Sequence, residues 1–385
     1  MLVALALSLG PALALGIGRF AYALLLPAMR EDLALSFAAA GALNTANAAG
    51  YLIGALGSVS WARRYGMRGV LLGGCVLTLF GLGLCGLTGN YSLLLLLRFV
   101  AGLSGAMVFS IGGMLVAQLA SGHPQRAGLL LGVYYSGIGF GVVVAALLVP
   151  VLLDTGPHGW QLAWLGLTAA GALATALIWR PSGTIHSADA HHAATPHMPI
   201  RQLTHALRAS LLGYFLFGVG YIGYMTFNIA LLKERGATQL QVTAFFSLLG
   251  LAVCVSSRLW ARLLDRFRDG KPMAVLNALV GIAALLPLCS SAMTIALMSG
   301  VLFGACFVSA VASTTAIVRH NLTPAQWPFG IALFTSIFAL GQIVGPALTG
   351  WLSDSGGLEK GLLFSGCILL LGAAVATRQR ALDVG

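Results

Sequence analysis

An arginine lies inside the first long apolar stretch of the chain. Arg19 belongs to the segment GIGRFAY, residues 16–22, within an apolar run from residue 2 to residue 29. About 20 apolar residues cross the hydrocarbon core of a bilayer as a helix. A guanidinium near the middle of such a helix costs at least about 2.5 kcal/mol to insert, and it normally faces a watery cavity or ion path. We therefore predict that Arg19 holds a ligand; the alternatives are that it reaches an interface or ties two helices together.

A second arginine, Arg98, lies about seven residues inside the fourth apolar run, roughly 10 Å deep at the rise of an α-helix. All ten acidic residues fall in predicted loops or at helix ends, so neither arginine has a carboxylate at membrane depth. Two guanidiniums without a counter-charge favour an anion, because the planar guanidinium binds carboxylate or phosphate through two hydrogen bonds. For Arg98 a structural or gating role is an equal alternative.

Composition indicates that these arginines are carried by a membrane protein. The chain has 385 residues, of which 58% are hydrophobic and 8% are charged, whereas soluble domains carry about 25% charged residues. The net charge of +11 does not indicate nucleic-acid binding, because the charges lie in short gaps between apolar runs. Twelve apolar runs predict an all-α fold with twelve transmembrane helices: 2–29, 37–61, 69–88, 92–120, 127–153, 160–179, 207–232, 240–263, 272–291, 293–318, 326–351 and 359–377.

The two halves of the chain carry matching segments about 200 residues apart. GIGRFAY at 16–22 matches GVGYIGY at 218–224, the sequence WAR occurs at 61–63 and at 260–262, and the glycine pair 137 and 141 matches 341 and 345. Three matches in the same order predict a duplicated six-helix unit, and therefore two pseudo-symmetric bundles. Parallel repeats of this kind build many secondary transporters.

The repeat extends the candidate site to the second half. Tyr221 stands at the position of Arg19, and Tyr224 shares its helical face. Aromatic rings with a hydroxyl tip suit an apolar body bearing a few polar groups; the alternative is an aromatic packing stripe. Polar side chains on other helices either bind substrate or join helices. The predicted substrate-binding residues are Arg19, Arg98, Tyr22, Tyr221, Tyr224, Asn44, Asn47, Tyr134 and Gln342.

One long polar stretch separates the halves. It is typical of a flexible linker, so the predicted domains are residues 1–180, a linker at 181–206, and residues 207–385. The linker carries His186, His191, His192, His197 and His205. Histidine-rich tracts bind metal in some proteins, but no cysteine or carboxylate accompanies these at a fixed spacing. We predict no metal and no cofactor.

The basic residues orient the chain. With the N-terminus in the cytoplasm, the inner loops hold fourteen Lys and Arg residues and the outer loops hold four. The positive-inside rule therefore predicts that both termini are cytoplasmic, in a multi-pass protein of the cell inner (plasma) membrane.

Twelve helices in a 6+6 repeat with a long central loop resemble the major facilitator superfamily. RYGMR at 64–68 resembles the superfamily's loop motif between helices two and three, although Arg63 stands at its usual Asp position; the second copy, DRF at 265–267, keeps the Asp. GIGRFAY, GIGFG at 137–141, WQLAW at 160–164, FGVGY at 217–221 and GQIVGP at 341–346 resemble the YbfB/YjiJ-type branch. The resemblance implies that helices one and four line a central cavity, and that the loop-motif residues act in gating: Arg64, Gly66, Arg68, Asp265 and Arg266.

These patterns predict a secondary active transporter that moves a small organic anion by alternating access. The alternative within the same fold is efflux of hydrophobic compounds or drugs, for which cationic substrates call for a buried carboxylate that is absent here. A membrane enzyme would need a nucleophile, base or metal cluster at reachable depth, so we predict that the protein is not an enzyme. The expected partners are a small anionic molecule, the lipid bilayer and, as a candidate coupling ion, the proton. We expect a monomer that binds no nucleic acid.

Overall fold

The computed structural model describes residues 1–156, 158–183, 200–323 and 326–382. Within them, long helices follow one another with short connections. A short helix at Ile200–Ala206 precedes the second half. The long helices are α1 Leu2–Asp32, α2 Phe37–Tyr65, α3 Met67–Cys85, α4 Tyr91–Ser121, α5 Ala127–Leu153, α6 Gly159–Ser182, α7 Arg208–Glu234, α8 Gln239–Arg266, α9 Lys271–Cys289, α10 Met293–Asn321, α11 327–355 and α12 358–376.

These helices confirm the twelve predicted apolar runs. Ten described ranges are long and apolar enough to cross a membrane, and the last of them, Phe329–Ala376, contains both α11 and α12. It breaks at Gly357, whose φ of 79° belongs to the left-handed region that glycine adopts without strain. The helix α2 is not in this set although it has 29 residues, because its glycines and asparagines lower its mean hydropathy. Large apolar side chains such as Phe80, Leu147 and Trp351 are more than half exposed, as a lipid-facing surface requires.

Local capping fixes where several helices begin. Ser36 accepts a hydrogen bond from the N–H of Ala39 at the start of α2, and Asn90 accepts one from Leu93 at the start of α4. Thr238 begins α8 with a reciprocal capping box. Each cap satisfies a backbone donor that has no partner inside its helix.

Glycines bring the first helix of each bundle against the fifth. A Cβ atom placed on Gly16 of α1 would lie 2.6 Å from the backbone of Gly141 in α5. One placed on Gly218 of α7 would lie 2.7 Å from the carbonyl oxygen of Phe338 in α11, and Gly341 likewise faces the backbone of α7. The glycines that match in the sequence repeat therefore form the same helix–helix contact in each half.

The bundle α1–α6 meets the bundle α7–α12 mainly where α2 packs on α11 and α5 packs on α8. We call the end of the molecule that carries both termini and the segment between the bundles the linker end. There, the N–H of Gly270 donates to the carbonyl oxygen of Gln379. The opposite end, with the connections from α1 to α2 and from α7 to α8, is the distal end.

Candidate functional site

A cavity of about 590 Å³ lies between the two bundles. Ligand pockets for small molecules have volumes of this order. Its wall is largely aromatic and aliphatic with a few polar groups, and both bundles contribute to it. The deeper wall includes Leu15, Arg19, Phe20, Tyr51, Phe109, Tyr135, Ile138, Tyr214, Tyr221, Phe307, Phe338 and Gln342.

Arg19 lines this cavity from a π-helical segment of α1, Ala12–Phe20. The N–H of Ala21 donates to the carbonyl oxygen of Gly16, five residues earlier, at 3.0 Å. Short π-helical insertions are common at functional sites because they re-aim side chains. Apart from Gly16 and Gly18, nothing in the sequence of this segment indicates a π-helix.

The Arg19 guanidinium is enclosed but unpaired. The residue is 3% exposed, and neither Nε nor Nη2 has a hydrogen-bond partner. Its Cζ lies 5.5 Å from the centre of the Tyr51 ring. In the described part of the chain the ion pairs are Arg235–Glu359 and Lys271–Asp269, both at helix ends. The charge imbalance predicted around Arg19 is thus present within the described residues.

A stack of aromatic rings forms the wall contributed by the second bundle. Tyr214 stacks on Phe338 with ring centres 4.7 Å apart, and Tyr221 stacks on Phe217 at 5.0 Å, on Phe338 at 5.5 Å and on Phe307 at 6.0 Å. Tyr221 is the repeat counterpart of Arg19 and lines the same cavity. The stack therefore offers an apolar ligand body flat faces next to the guanidinium.

Arg98 lies outside the cavity lining. It is fully buried, and its Nη1 donates to the carbonyl oxygen of Gly18 at 2.7 Å while Nη2 donates to Oδ1 of Asn44 at 3.1 Å. The rings of Tyr22 and Trp164 flank its guanidinium, with centres 5.0 and 5.4 Å from Cζ. Arg98 thus has protein acceptors for both terminal nitrogens, one of them the backbone next to Arg19, while its Nε has no partner.

The other predicted polar residues divide between the cavity and the packing between helices. Gln342 lines the cavity. Four others lie outside its lining and hydrogen-bond within the protein: Tyr22 donates to the carbonyl of Ala40, Tyr134 to that of Phe109, Asn47 to that of Arg98, and Tyr224 pairs with Ser299. A buried hydroxyl or amide is satisfied by the nearest backbone carbonyl when one is in reach.

At the linker end, the cavity wall reaches Asp265, Arg319, His320 and Trp327. His320 Nδ1 lies 3.1 Å from the carbonyl oxygen of Phe267. Asp265 is therefore the one loop-motif residue, among those described, that borders the cavity. It places a carboxylate in the cavity wall at this end, and this carboxylate forms no ion pair with Arg19.

The remaining loop-motif residues lie around two turns. Gly66 joins α2 to α3 with a φ of 74°, a conformation that favours glycine. Arg68 donates to the carbonyl oxygen of Trp179 at 3.0 Å. Arg64 and Arg266 each lie over the ring of the residue that follows them.

At the distal end, a carboxylate joins the bundles. Asp354, at the end of α11, accepts hydrogen bonds from the backbone N–H groups of Phe37 and Ala38 at 2.7 and 2.9 Å. A carboxylate at a helix N-terminus is favoured by the helix dipole as well. Asp154, at the distal end of α5, accepts a weaker bond, 3.3 Å long, from the Gln239 side chain at the start of α8.

Two further hydrogen bonds join the bundles between the distal end and the cavity. Asn44 of α2 donates to Oγ1 of Thr226 in α7 at 2.7 Å, and Thr45 donates to the carbonyl oxygen of Ile343 in α11 at 2.8 Å. Asn44, which was predicted to bind substrate, thus hydrogen-bonds to the opposite bundle. The bundles are joined at the distal end, and the cavity opens toward the linker end.

Several wall residues were missed by sequence reasoning. Tyr51, Phe307 and Phe338 line the cavity but look like ordinary apolar residues of a membrane helix. One available signal was the spacing of Phe338 and Gln342, four residues apart and so on one face of α11. Tyr51 and Phe307 gave no comparable signal.

The described residues contain no group of three metal-ligating side chains. Of the linker histidines, His186, His191, His192 and His197 lie outside the described residues. His205 is described, and its Nε2 lies 3.2 Å from Nη1 of Arg208.

The sequence matches, over residues 11–377, the family described as "Uncharacterised MFS-type transporter YbfB". It is 25% identical over 390 residues to the inner membrane transport protein YdhP of Escherichia coli strain K12, covering 96% of each chain. The YdhP of Escherichia coli O157:H7 matches to the same extent.

Solved structures share the fold. A bacterial homologue of the human lysosomal transporter Spinster, in an inward-facing and unoccupied conformation, superposes with a TM-score of 0.73 at 17% identity, covering 97% of this chain and 95% of the other. A mutant of the nucleoside transporter NupG gives a TM-score of 0.71 at 13% identity, with 97% of each chain covered. The resemblance drawn from the motifs is thereby confirmed: the chain belongs to the YbfB-type family of major facilitator superfamily transporters.

Proposed function

We propose that this transporter moves a small organic anion across the inner membrane by alternating access. The observation that carries the proposal is the Arg19 guanidinium, which lines the central cavity with two nitrogen atoms unpaired. A cation enclosed by protein without a counter-charge is costly. An anionic ligand would lower that cost when it binds.

A carboxylate suits this group. Nε and Nη2 of a guanidinium point the same way and match the two oxygens of a carboxylate. The aromatic wall of Tyr221, Phe338 and Phe307 then favours an apolar or aromatic body. Because both nitrogens are shielded from solvent, binding requires the Arg19 side chain to turn into the cavity.

The transport cycle we propose moves two units about this site, residues 1–180 and 207–385, joined by the linker at 181–206. Closing the linker end and opening the distal end would expose Arg19 to the other side of the membrane. With both termini cytoplasmic, as the basic loops predict, the cavity in this structure faces the cytoplasm. Asp265 and His320 at its mouth are the candidate groups for any coupled proton.

Efflux of hydrophobic compounds is the second candidate, favoured by the same aromatic wall. The two functions differ in what Arg19 does. An anion transporter needs the charge, whereas a carrier of neutral hydrophobic compounds tolerates its removal.

The test is ligand binding to Arg19→Gln, with Arg258→Gln as the matched control because Arg258 is an exposed arginine of α8. Purified protein is titrated calorimetrically with benzoate and with benzamide, its neutral analogue. We expect benzoate affinity to fall about 30-fold or more in Arg19→Gln, since losing one partner of an enclosed ion pair costs at least about 2 kcal/mol. The control should bind benzoate as the wild type does.

Arg19→Gln should melt no lower than the wild type, because it removes an unpaired enclosed charge. Equal benzoate affinity in Arg19→Gln and wild type would contradict the anion site. Wild-type binding of benzamide that matches benzoate would favour the hydrophobic-compound carrier instead.

A further inference from the structure

Gln342 is a second polar group of the cavity without a partner. It is 1% exposed, and neither Oε1 nor Nε2 has a hydrogen-bond partner. It lies one helical turn from Phe338, whose ring stacks on Tyr221. An enclosed amide with both heteroatoms unpaired is unfavourable in an empty site, and a ligand that supplies a donor and an acceptor relieves both atoms at once.

The sequence repeat shows how the polarity of the cavity is divided. Tyr221 is the counterpart of Arg19, and Gln342 is the counterpart of Ile138; all four residues line the cavity. The first bundle therefore contributes a charge beside an aliphatic side chain. The second contributes a neutral amide beside a phenol. Each bundle thus contributes a polar group of a different kind to the wall. Because both heteroatoms of Gln342 are shielded from solvent, its amide, like the Arg19 guanidinium, must turn into the cavity to meet a ligand.

We propose that the substrate spans the two bundles, with its carboxylate on Arg19 and a neutral hydroxyl or amide group on Gln342. This inference rests on the proposed function and narrows its substrate to a carboxylic acid with a second, uncharged polar group. The ligand's carboxylate end then faces the first bundle.

The chemistry of the amide selects that second group. A carboxamide offers one acceptor oxygen and an NH₂ donor. A second carboxylate at Gln342 would satisfy Nε2 and leave Oε1 without a donor, while an ammonium would satisfy Oε1 and leave Nε2 without an acceptor. A hydroxyl or an amide both donates and accepts, so it satisfies both atoms.

The test compares the affinities of ligands with and without a ring hydroxyl in the wild type and in variants. It uses the full chain purified in detergent. Benzoate, 3-hydroxybenzoate and 4-hydroxybenzoate are titrated calorimetrically into wild type and Gln342→Leu. Thr335→Val is the matched control, because Thr335 lines the same cavity from α11 but its hydroxyl already donates to the carbonyl oxygen of Ile331. Melting temperature and gel filtration verify that each variant is folded.

We expect the ring hydroxyl of at least one isomer to raise wild-type affinity about fivefold, the usual effect of one hydrogen bond. This gain, taken as the ratio of hydroxybenzoate to benzoate affinity within each protein, should disappear in Gln342→Leu and persist in Thr335→Val. An equal hydroxyl gain in wild type and Gln342→Leu, or no gain in wild type, would overturn the inference. Loss of benzoate binding in folded Gln342→Leu would also overturn it, because Gln342 would then hold the carboxylate.

The two proposals fail in different measurements. Benzoate binding that does not depend on Arg19, or absent from the wild type, contradicts the proposed function and removes the basis of this inference. Benzoate binding that depends on Arg19, without a hydroxyl gain through Gln342, leaves the proposed function standing and overturns this inference alone.

Discussion

The two arginines inside the membrane-spanning helices differ in their partners. Arg98 donates to a backbone carbonyl and an amide and lies against two aromatic rings. Arg19 lines the cavity with two unpaired nitrogens. A guanidinium whose two terminal nitrogens are bound by the protein ties helices together, whereas one without acceptors beside a cavity is available to a ligand.

Arg98→Gln should therefore destabilise the protein. It removes two hydrogen bonds from a charged donor and uncovers the Gly18 carbonyl, for a loss of about 2–5 kcal/mol in the free energy of unfolding. The melting temperature in detergent measures the effect. The exposed Arg258→Gln should change stability by less than about 0.5 kcal/mol, and equal melting temperatures for the two variants would refute the role assigned to Arg98.

At the scale of the helices, the contact between α1 and α5 holds the π-helical segment that carries Arg19. The segment Ala12–Phe20 contains Gly16 and Gly18, and Gly16 lies directly against Gly141. The position of the guanidinium thus depends on two backbones being able to touch.

Gly16→Ala should lower both the melting temperature and benzoate affinity. The added Cβ would lie 2.6 Å from backbone atoms of Gly141, so the two helices must separate, at a typical cost of about 1–3 kcal/mol. Gly73→Ala in α3 is the control, because a Cβ there meets nothing within 4 Å; it should be neutral or stabilise by up to about 1 kcal/mol. Wild-type stability and affinity in Gly16→Ala would mean that the contact is dispensable.

The carboxylate of Asp354 should hold the distal end closed. Asp354→Asn keeps the size of the side chain but replaces one of the two oxygens that accept backbone hydrogen bonds from α2. We expect the distal end to open in a larger fraction of molecules. Nitroxide labels at Glu31 and Ser355, in a variant without native cysteines, would report longer distances by pulsed electron paramagnetic resonance.

Asp154→Asn is the comparison variant, because it removes a weaker contact between the bundles at the same end of the molecule. Asp154 accepts a single, longer bond from the Gln239 side chain, so its loss should shift the label distances less. An unchanged distance distribution in Asp354→Asn would show that other contacts, such as those of Asn44 and Thr45, keep the distal end closed.

At the scale of the whole molecule, most contacts between helices lie within a bundle, and the bundles meet mainly through α2 with α11 and α5 with α8. Residues 1–182 and 200–385, co-expressed as separate chains, should therefore associate and bind benzoate within about threefold of the intact protein. Affinity purification through a tag on one half, followed by calorimetry, measures this. Halves that fold but do not co-purify would indicate that the linker is needed to keep them together.

Sequence alone determined the helices and their duplication. Each apolar run has to be a helix in lipid, because only a helix satisfies its own backbone hydrogen bonds there. The matching glycine pairs at 137, 141, 341 and 345 could be recognised in sequence because close helix contacts exclude side chains at fixed positions. The position of Arg19 beside a cavity could likewise be predicted, since a charged residue within an apolar helix normally avoids lipid.

Only the tertiary structure decided which polar residues face the cavity. Arg98, Asn47 and Tyr134 resemble Arg19 and Gln342 in sequence, yet each of the three donates a hydrogen bond to a backbone carbonyl of a neighbouring helix. Those carbonyls come from residues 25 to 80 positions away, and no local pattern encodes which helix lies alongside. Whether a buried polar group is satisfied by the protein or left for a ligand is a property of packing, because it depends on which backbone comes within hydrogen-bonding distance.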